Sequence, residues 1–395
     1  MKILIIGVNT RHIACSARQA GHIVFSLDSF GDIDLKSCCE KLLILDIPDL
    51  YNFETDKVKS RLVPLIKSML PVDAVVLGPG FEHEGNWIRE ITESKVQLLN
   101  NSTHVFTNVS DKVLMAEKLK SLNIPHPYTV PMDLINIPDD WKKEYPVVIK
   151  PRCGAGGMKN IPVKDKHDLK LTIDEIKGYK DQYLLQEYVS GIIASVSVIS
   201  TGKKAMAVAV NEHLAGVKGL TEMPFAYCGN ITPYLGEYNE WMCRIAVDLA
   251  LKMELVGSIG VDFIISDNRQ VVLEVNPRIQ GSIDTVELST GLNIFQAHCN
   301  AFNGILPEIE EAPNKYECYS IRTIFFTPNE ISISDDIFNF LIQYFKQGKI
   351  ADIPAKGTIL HRNEPVVSFI SDGNSKIEVI HKAQEFITDL KIALS

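Results

Sequence analysis

Short apolar runs alternate with helical patterns over the first hundred residues. We interpret five of these runs as strands: KILIIG, HIVFSLD, KLLILD, AVVLGPG and HVFTN. A helical pattern that ends near Ala20 separates the first two runs. This alternation is typical of a parallel sheet covered by helices, so we expect an α/β layer at the start of the chain.

The pattern changes after residue 110. Ser110, Asp111 and Lys112 predict a helix start, and Pro125-His-Pro127 predicts its end. Further strands are predicted at YPVVIK, QYLLQEYVSG, ASVSVIS, AMAVAV, YSIRTIFF and PVVSFIS. An apolar stripe predicts a helix over residues 239–253, and a closing helix is expected near residues 377–393. The order is α/β followed by α+β.

The segment VDFIISDNRQVVLEVNPR, residues 261–278, predicts an antiparallel hairpin centred near Asn268. Asp262 and Glu274 are equally far from that centre and should face each other, with Asn276 on the same face. Two carboxylates about 4 Å apart repel by roughly 4 kcal/mol at an effective dielectric constant near 20. A divalent cation such as Mg²⁺ would cancel that repulsion. A shared proton, or an exposed hairpin edge with lysines nearby, is the alternative.

A glycine-rich loop follows the strand that ends at Lys150. It comprises Gly154, Ala155, Gly156 and Gly157. Glycines let backbone N–H groups approach phosphate oxygens, and a lysine at the strand end adds a positive charge. The Gly-Lys-Ser/Thr of a Walker loop is missing. A flexible hairpin connection is the alternative.

Composition limits the classes of partner. The chain has 395 residues and a net charge of -9, with 46% hydrophobic and 23% charged residues. This charge argues against nucleic acid or an anionic membrane as the main partner. The first apolar run is too short for a signal peptide, and none approaches the roughly 20 residues of a membrane span. The eight cysteines show no metal-binding spacing, so we expect reduced thiols and a cytoplasmic protein.

Asn9 and Arg11 follow the first strand, in Gly7-Val-Asn-Thr-Arg11. The second and third glycines of a dinucleotide fingerprint are missing, so we expect a Rossmann-like layer that does not bind NAD. The carboxyl ends of strands in such sheets are where ligands bind. Asn9 and Arg11 are therefore candidate substrate residues, with a structural turn as the alternative.

The order of these motifs, from Ser-Asp-Lys112 to Glu274-Val-Asn-Pro-Arg278, resembles the ATP-grasp superfamily of ligases over about residues 105–300. GVNTRHIACSARQAG, YCGNITP and NPRIQGS look most like the predicted ATP-dependent carboligases related to biotin carboxylase. The resemblance implies a Rossmann-like pre-ATP-grasp domain (1–108), a small subdomain with the glycine-rich loop (109–188), a large subdomain with the Mg²⁺ site (189–312) and a small C-terminal α+β extension (313–395).

The resemblance also implies roles for individual residues. Lys112 and Lys150 would hold the ATP phosphates, and Gly154, Ala155, Gly156 and Gly157 would close over them. Gln186, Glu187, Tyr188 and Val189 would form the adenine-binding hinge, with Glu187 accepting from the exocyclic amine. Asp262, Glu274 and Asn276 would bind Mg²⁺, or Mn²⁺ in its place. Arg278 would stabilise anionic intermediates and, with Lys150, act in catalysis.

The implied reaction joins a small-molecule carboxylate to an amine or another nucleophile through an acyl phosphate, giving ADP and phosphate. Arg11 would hold the substrate carboxylate, with Asn9, Tyr227, Gly229 and Asn230 near the same cleft. Two features depart from the family pattern. Gly191-Ile-Ile-Ala-Ser195 has no acid for the ribose, and Arg278-Ile-Gln280 continues as Gly281-Ser282 without the glutamate and histidine that biotin carboxylase uses with bicarbonate.

Three rival functions remain at this stage. A bicarbonate-dependent carboxylase or an enzyme like carbamoyl-phosphate synthase would share the ATP site. A Mg-ATP-binding protein without turnover would not need the second carboxylate. A nicotinamide-dependent dehydrogenase would rest on Gly7 and Asp28 alone. A homodimer is the expected assembly.

Overall fold

The computed structural model describes residues 1–45, 55–81, 86, 96–308 and 315–394. The strands of this part of the chain are β1 (Lys2–Ile6), β2 (Ile23–Asp28), β3 (Lys41–Ile44), β4 (Ala74–Leu77), β5 (Gln97–Leu98), β6 (Thr129–Pro131), β7 (Val147–Pro151), β8 (Ile161–Val163), β9 (Tyr183–Glu187), β10 (Ile192–Thr201), β11 (Ala205–Ala215), β12 (Tyr227–Thr232), β13 (Val256–Ser266), β14 (Arg269–Asn276), β15 (Tyr319–Phe326), β16 (Ile331–Ser332), β17 (Ile350–Ala351), β18 (Ile359–Leu360) and β19 (Pro365–Gly373).

The α-helices of the same ranges are α1 (Arg11–Gln19), α2 (Ile33–Cys38), α3 (Thr55–Met69), α4 (Thr103–Ser110), α5 (Lys112–Ser121), α6 (Lys166–Glu175), α7 (Asn239–Lys252), α8 (Ile283–Thr290), α9 (Ile294–Phe302), α10 (Asp335–Lys346) and α11 (Lys376–Ala393). Short 3₁₀ turns lie at Met132–Leu134, Pro138–Asp140 and Lys180–Gln182. None of these helices is both long and apolar enough to cross a bilayer.

The first sheet is parallel and has the strand order β3-β2-β1-β4-β5. Residues Ile3 to Ile6 of its central strand are fully buried. Burial on both faces explains why β1 is a continuous apolar run rather than an alternating one. The predicted α/β layer at the start of the chain is therefore confirmed.

The prediction that HVFTN forms the fifth strand is wrong, because these residues lie in α4. Ser102 caps that helix, since its side chain accepts a hydrogen bond from the Val105 N–H at 3.3 Å. Phe106 and Val109, three residues apart, are the buried positions of the helix. The fifth strand is the short β5, which ends just before this cap.

A small antiparallel sheet, in the order β6-β9-β7-β8, follows in the chain. The larger sheet has eight strands in the order β14-β13-β10-β11-β12-β15-β19-β17. The C-terminal strands β15, β19 and β17 thus belong to the same sheet as the β13–β14 hairpin. Helix α7 buries Met242, Ala246, Leu249 and Ala250, as its apolar stripe predicts.

Cys15 of α1 and Cys38 of α2 form a disulfide, with their Cα atoms 5.0 Å apart. The expectation that all eight cysteines are reduced is wrong for these two. The packing of α1 against α2 brings together residues that are 23 positions apart in the sequence, and spacing alone does not reveal such a contact. The other six cysteines are free.

Candidate active site

Asp262 and Glu274 face each other across β13 and β14, as the sequence predicts. The turn-proximal register pairs Ser266 with Arg269 and Phe263 with Val272, and it then shifts by one residue at Leu273. Continued without this bulge, the same register would place Leu273 opposite Asp262. The bulge therefore puts the second carboxylate on the same face as the first.

The two carboxylates have opposite electrostatic environments. Burial and the neighbouring Glu274 raise the pKa of Asp262 well above its ordinary value. Burial also acts on Glu274, but Lys112 and Lys150 outweigh it and lower the pKa of that carboxyl. Lys112 Nζ lies 3.5 Å from Glu274 Oε2. A proton bound by the pair is therefore held on Asp262 and not on Glu274.

The contacts of Asp262 and Asn276 show whether the predicted metal ligands could bind a cation. Asn276 Nδ2 donates to Asp262 Oδ2 at 3.1 Å, while Asp262 Oδ1 is buried without a hydrogen-bond partner among the described residues. A buried carboxylate oxygen without a donor is costly. Together with Glu274, this oxygen suits a hard cation with oxygen ligands, so the residues fit Mg²⁺.

Within the described ranges, no group of three or more His, Cys, Asp or Glu side chains is placed to hold a metal. The hairpin thus offers two carboxylates and one amide. Mg²⁺ commonly uses one or two protein carboxylates and takes its remaining ligands from phosphate oxygens and water. The donor set therefore fits a metal that arrives with a nucleotide better than a resident metal.

Lys150 is the last residue but one of β7 and interacts electrostatically with Glu274 of the hairpin. Burial lowers the pKa of Lys150 to about 8; Glu274 acts to raise it and Lys112 to lower it further. Its Nζ donates to Gln186 Oε1 at 2.8 Å, and Gln186 Nε2 donates to Thr129 Oγ1 at 2.9 Å. The first predicted hinge residue thus orients one of the two predicted phosphate lysines.

The glycine-rich loop reaches from the small sheet to the large one. Lys112 Nζ donates to the Gly154 carbonyl at 2.8 Å, and the Tyr227 N–H donates to the Gly156 carbonyl at 2.9 Å. Gly157 has φ +68°, and a Cβ there would lie 2.0 Å from the Phe225 carbonyl oxygen. Ala155 is exposed at the tip. The loop therefore spans the gap between Lys112 and the start of β12.

In the predicted hinge, the Glu187 side chain already has partners within the protein. Glu187 Oε2 accepts from the Tyr128 N–H at 2.9 Å, and Oε1 pairs with Arg269. This carboxylate is therefore already engaged, and the prediction that it accepts from an exocyclic amine is not supported by its position. Tyr188 is exposed and Val189 is half-buried where the chain leaves β9, so their backbone positions still suit a nucleotide edge.

An open cleft of about 1200 Å³ lies beside the hinge and is lined by Tyr128, Glu187, Tyr188 and Arg269 among others. Its lining does not include Lys112, Lys150, Asp262 or Glu274. We place the candidate site at the lysines and carboxylates, because that is where the charged groups converge, and not at this cleft.

Arg11 is already engaged by two carboxylates, so its position gives no support to the predicted role of holding a substrate carboxylate. Its guanidinium donates two hydrogen bonds to Asp284, at 2.6 and 2.8 Å, and two to Asp352, at 2.9 and 3.3 Å. Burial acts to lower the pKa of Arg11, but the carboxylates of Asp284 and Asp352 outweigh it and raise this pKa above its ordinary value. The side chain joins three distant segments of the chain. Asn9 lies beside it, and its Oδ1 is 3.3 Å from His12 Nδ1.

The three residues of β12 that were predicted to lie near the cleft have different environments. Gly229 has φ +112°, and a Cβ there would lie 1.9 Å from the Arg322 carbonyl oxygen, so this glycine serves the approach of β15 rather than of a ligand. Asn230 is fully buried and bonds Thr232 and Thr285. Tyr227 is half-buried, and its hydroxyl donates to Asn230 Oδ1 at 2.9 Å.

Asp28 is not available for a nicotinamide cofactor. Its Oδ2 accepts from the Thr10 N–H and hydroxyl, and its Oδ1 accepts from the N–H groups of Phe30 and Gly31. A ribose hydroxyl would have to compete with four existing donors.

The sequence analysis did not predict four residues around the site. Asp284 and Arg322 pair with each other; Asp284 also pairs with Arg11, and Arg322 also pairs with Asp352. Arg269 pairs with Glu187, and His213 lies within hydrogen-bond distance of Ser195. Only Arg269 carried a local signal, since it follows the predicted hairpin turn. The other contacts join segments far apart in sequence. Arg278 follows β14, and its Nη1 donates to the Ile279 carbonyl at 3.0 Å.

Residues 109–282 match the family model of the ATP-grasp domain. An uncharacterised protein of Methanocaldococcus jannaschii is 25% identical over 386 residues, which cover 95% of this chain and 89% of that protein.

Two solved structures share the fold. One is the biotin carboxylase domain of the Hydrogenobacter thermophilus 2-oxoglutarate carboxylase, solved as a dimer with MgADP and bicarbonate; its TM-score is 0.71 at 16% identity, covering 97% of this chain and 88% of that one. The other is an L-amino acid ligase from Bacillus licheniformis, with a TM-score of 0.69 at 17% identity, covering 100% and 98%. The predicted ATP-grasp fold is therefore confirmed.

Proposed function

We propose that the protein is an ATP-dependent ligase that joins a small carboxylic acid to an amine or another nucleophile, because residues 109–282 match the family model of the ATP-grasp domain. One observation supports this most strongly. Lys112, Lys150 and the glycine-rich loop converge on the Asp262–Glu274 pair, so the groups suited to a triphosphate and its metal meet at one place.

We assign the residues as follows in this proposal. Asp262, Glu274 and Asn276 hold Mg²⁺, and Lys112, Lys150 and the loop amides hold the phosphates. The metal would supply charge neutralisation at the phosphate oxygens. Residues Gln186 to Val189 would border the adenine, with contacts from the backbone rather than from the Glu187 side chain. Arg278 would stabilise the anionic intermediate.

The proposed reaction has two steps. A carboxylate oxygen of the substrate attacks the γ-phosphorus, the bond to the β-phosphate oxygen breaks, and ADP leaves. The nucleophile then attacks the acyl carbon, the bond from that carbon to the phosphate oxygen breaks, and inorganic phosphate leaves. Lys150 stays in hydrogen-bond contact with Gln186, so its position is fixed before ATP binds.

The test is a panel of carboxylic acids with Mg-ATP, scored by ADP release and by trapping the acyl phosphate with hydroxylamine as a hydroxamate. We expect hydroxamate with at least one acid, and none with Asp262→Asn. Nucleotide binding without ADP release for any acid would instead indicate a Mg-ATP-binding protein. ADP release that requires only bicarbonate would indicate a carboxylase. Mn²⁺ in place of Mg²⁺ is tested in the same assay.

We also propose a homodimer, which light scattering of the purified chain would test. The proposal is supported by the prevalence of two-fold symmetric assemblies.

A further inference from the structure

One face of the large sheet carries a row of polar side chains that begins at the two carboxylates. The register pairs Glu274 with Asp262, Asp262 with Ser195, and Ser195 with Asn211. Directly paired residues share a face of the sheet, and so do residues two apart on one strand. His213 therefore lies on this face as well, two positions after Asn211.

The row continues to the far strands. His213 pairs with Asn230, and Asn230 pairs with Arg322. Neighbouring strands are about 4.8 Å apart, so this polar row runs across six strands, from Glu274 to Arg322. Helix α8 covers its far end, where Thr285 bonds Asn230. The part between Asp262 and Tyr227 lies next to the glycine-rich loop, which bonds the Tyr227 N–H.

The middle of the polar row is neutral. His213 Nε2 is 2.9 Å from Ser195 Oγ, and its ring meets the Tyr227 ring edge to face, with centroids 5.2 Å apart. Burial lowers the pKa of His213 to about 4, and Glu274 acts weakly in the opposite direction. Burial also raises the pKa of Tyr227 above its ordinary value. Neither side chain carries a charge near neutral pH.

The two arginines at the far end are committed to carboxylates. Arg322 Nη2 lies 2.6 Å from Asp352, and its Nη1 lies 3.6 Å from Asp284. Arg11 pairs with both of the same acids, and Asp34 lies 3.6 Å from it. Two arginines thus face three carboxylates, and each arginine is only 4 to 6% exposed. Little of their charge is left to attract a further anion.

We propose, resting on the ligase function above, that the second substrate is a primary amine that carries no carboxylate beside its amino group and that is bound over His213 and Tyr227. A substrate carboxylate here would find neutral rings and an excess of acids. An ammonium group would find the Ser195 hydroxyl as an acceptor and the aromatic ring of Tyr227, whose π-system attracts cations. The amine loses one proton to solvent, its nitrogen bonds the acyl carbon as phosphate leaves, and the second proton then leaves the nitrogen.

The test compares amines with the amino acids that differ from them only by the carboxylate: ethylamine with alanine, isobutylamine with valine, and tyramine with tyrosine. Binding to the full chain is measured by calorimetry in the presence of Mg²⁺ and a non-hydrolysable ATP analogue. We expect the amine of at least one pair to bind tenfold or more tightly than its amino acid. An amino acid that binds as tightly as its amine in every pair, or no binding by any of the six compounds, would overturn the inference.

A change of charge at the centre of the polar row tests whether the lack of positive charge there causes the preference for amines. His213→Lys adds a cation there and should shift the preference toward the amino acid by tenfold or more. His213→Gln stays neutral and should keep the amine preference. His381→Lys, on an exposed histidine of α11, is the matched control and should change nothing. An unchanged preference in folded His213→Lys contradicts the inference, and if that variant does not fold, the wild-type comparison decides.

This test is separate from that of the ligase function. Hydroxylamine traps the acyl phosphate without using the amine site. Hydroxamate formation together with a failed amine comparison would refute only the inference. Absence of hydroxamate with every acid would refute the ligase function itself.

Discussion

Asp262 lies opposite Glu274 only because β14 contains a bulge at Leu273. The bulge turns a hairpin that would bury a leucine beside Asp262 into one that opposes two acids. Like charges directly across a sheet are unfavourable, and the fold keeps this pair beside two lysines. The arrangement is what a site for a cationic ligand requires, and it predicts opposite effects for the two acids.

In the ligand-free protein, Asp262→Asn should become more stable relative to the wild type as the pH rises. The pKa of Asp262 is raised in the fold, so its stabilising contribution is present below the ordinary aspartate pKa of about 3.9 and is lost as pH rises through the folded value. As the pH rises above about 3.9 we expect the wild type to lose stability relative to Asp262→Asn, by about 1.4 kcal/mol for each pH unit until the folded pKa is reached. Chemical denaturation at several pH values measures this difference.

Glu274→Gln is the matched variant and should have the opposite sign. Lys112 and Lys150 lower the pKa of Glu274, so neutralising this side chain leaves two close lysines without their anion. We expect destabilisation at pH 7 of about 1–3 kcal/mol. Mg²⁺ with a non-hydrolysable ATP analogue should raise the melting temperature of the wild type more than that of either variant. Equal signs for the two variants would contradict the electrostatic assignment.

Gly157→Ala should prevent the glycine-rich loop from reaching β12. The new Cβ would lie 2.0 Å from the Phe225 carbonyl, whereas a Cβ at Gly156 would meet nothing within 4 Å. Both glycines have positive φ, so each alanine carries a backbone cost of about 1 kcal/mol. We expect the rate of ADP release in the ligase assay to be at least tenfold lower for Gly157→Ala than for Gly156→Ala. Similar losses in both variants would show that strain, and not docking, matters.

The sequence predicted those parts of the site that depend on local pattern. The hairpin, the strand that carries Lys150 and the loop after it all follow from alternation, glycines and turn residues. The opposition of Asp262 to Glu274 was predicted from a turn centred near Asn268 without a bulge, whereas the structure reaches it through the bulge at Leu273. The first parallel sheet follows from its continuous apolar runs. These features need only neighbours within about 15 residues.

Contacts between distant segments were not predictable in the same way. Arg11 stands at a strand end where ligands bind in many sheets, yet Asp284 and Asp352, which engage it, are more than 270 residues away. HVFTN has strand-forming residues, but Ser102 caps it as a helix. The Leu273 bulge also has no signal in the alternation, because Val271, Val272, Leu273 and Val275 are all apolar.

Arg11→Met tests whether this side chain holds the fold together. It would leave Asp284 and Asp352 with fewer partners in a buried setting, where loss of one member of an ion pair costs about 3–5 kcal/mol. Arg362→Met is the control, because its pair with Glu222 is more than half exposed and should contribute less than about 1 kcal/mol. Urea unfolding measures both. A stability like that of the wild type for Arg11→Met would restore the substrate role that the sequence suggested.

The Cys15–Cys38 disulfide predicts a redox-dependent stability. A thiol titration of the unfolded, unreduced chain should find six free thiols, and eight after reduction. Cross-links that close loops of this size contribute about 3 kcal/mol, so reductant should lower the stability of the wild type but not of Cys38→Ser. Cys39→Ser is the control, because burial raises the pKa of Cys39 to about 12 and a thiol attacks a disulfide only as the thiolate. Eight reactive thiols before reduction would show that the bond does not form.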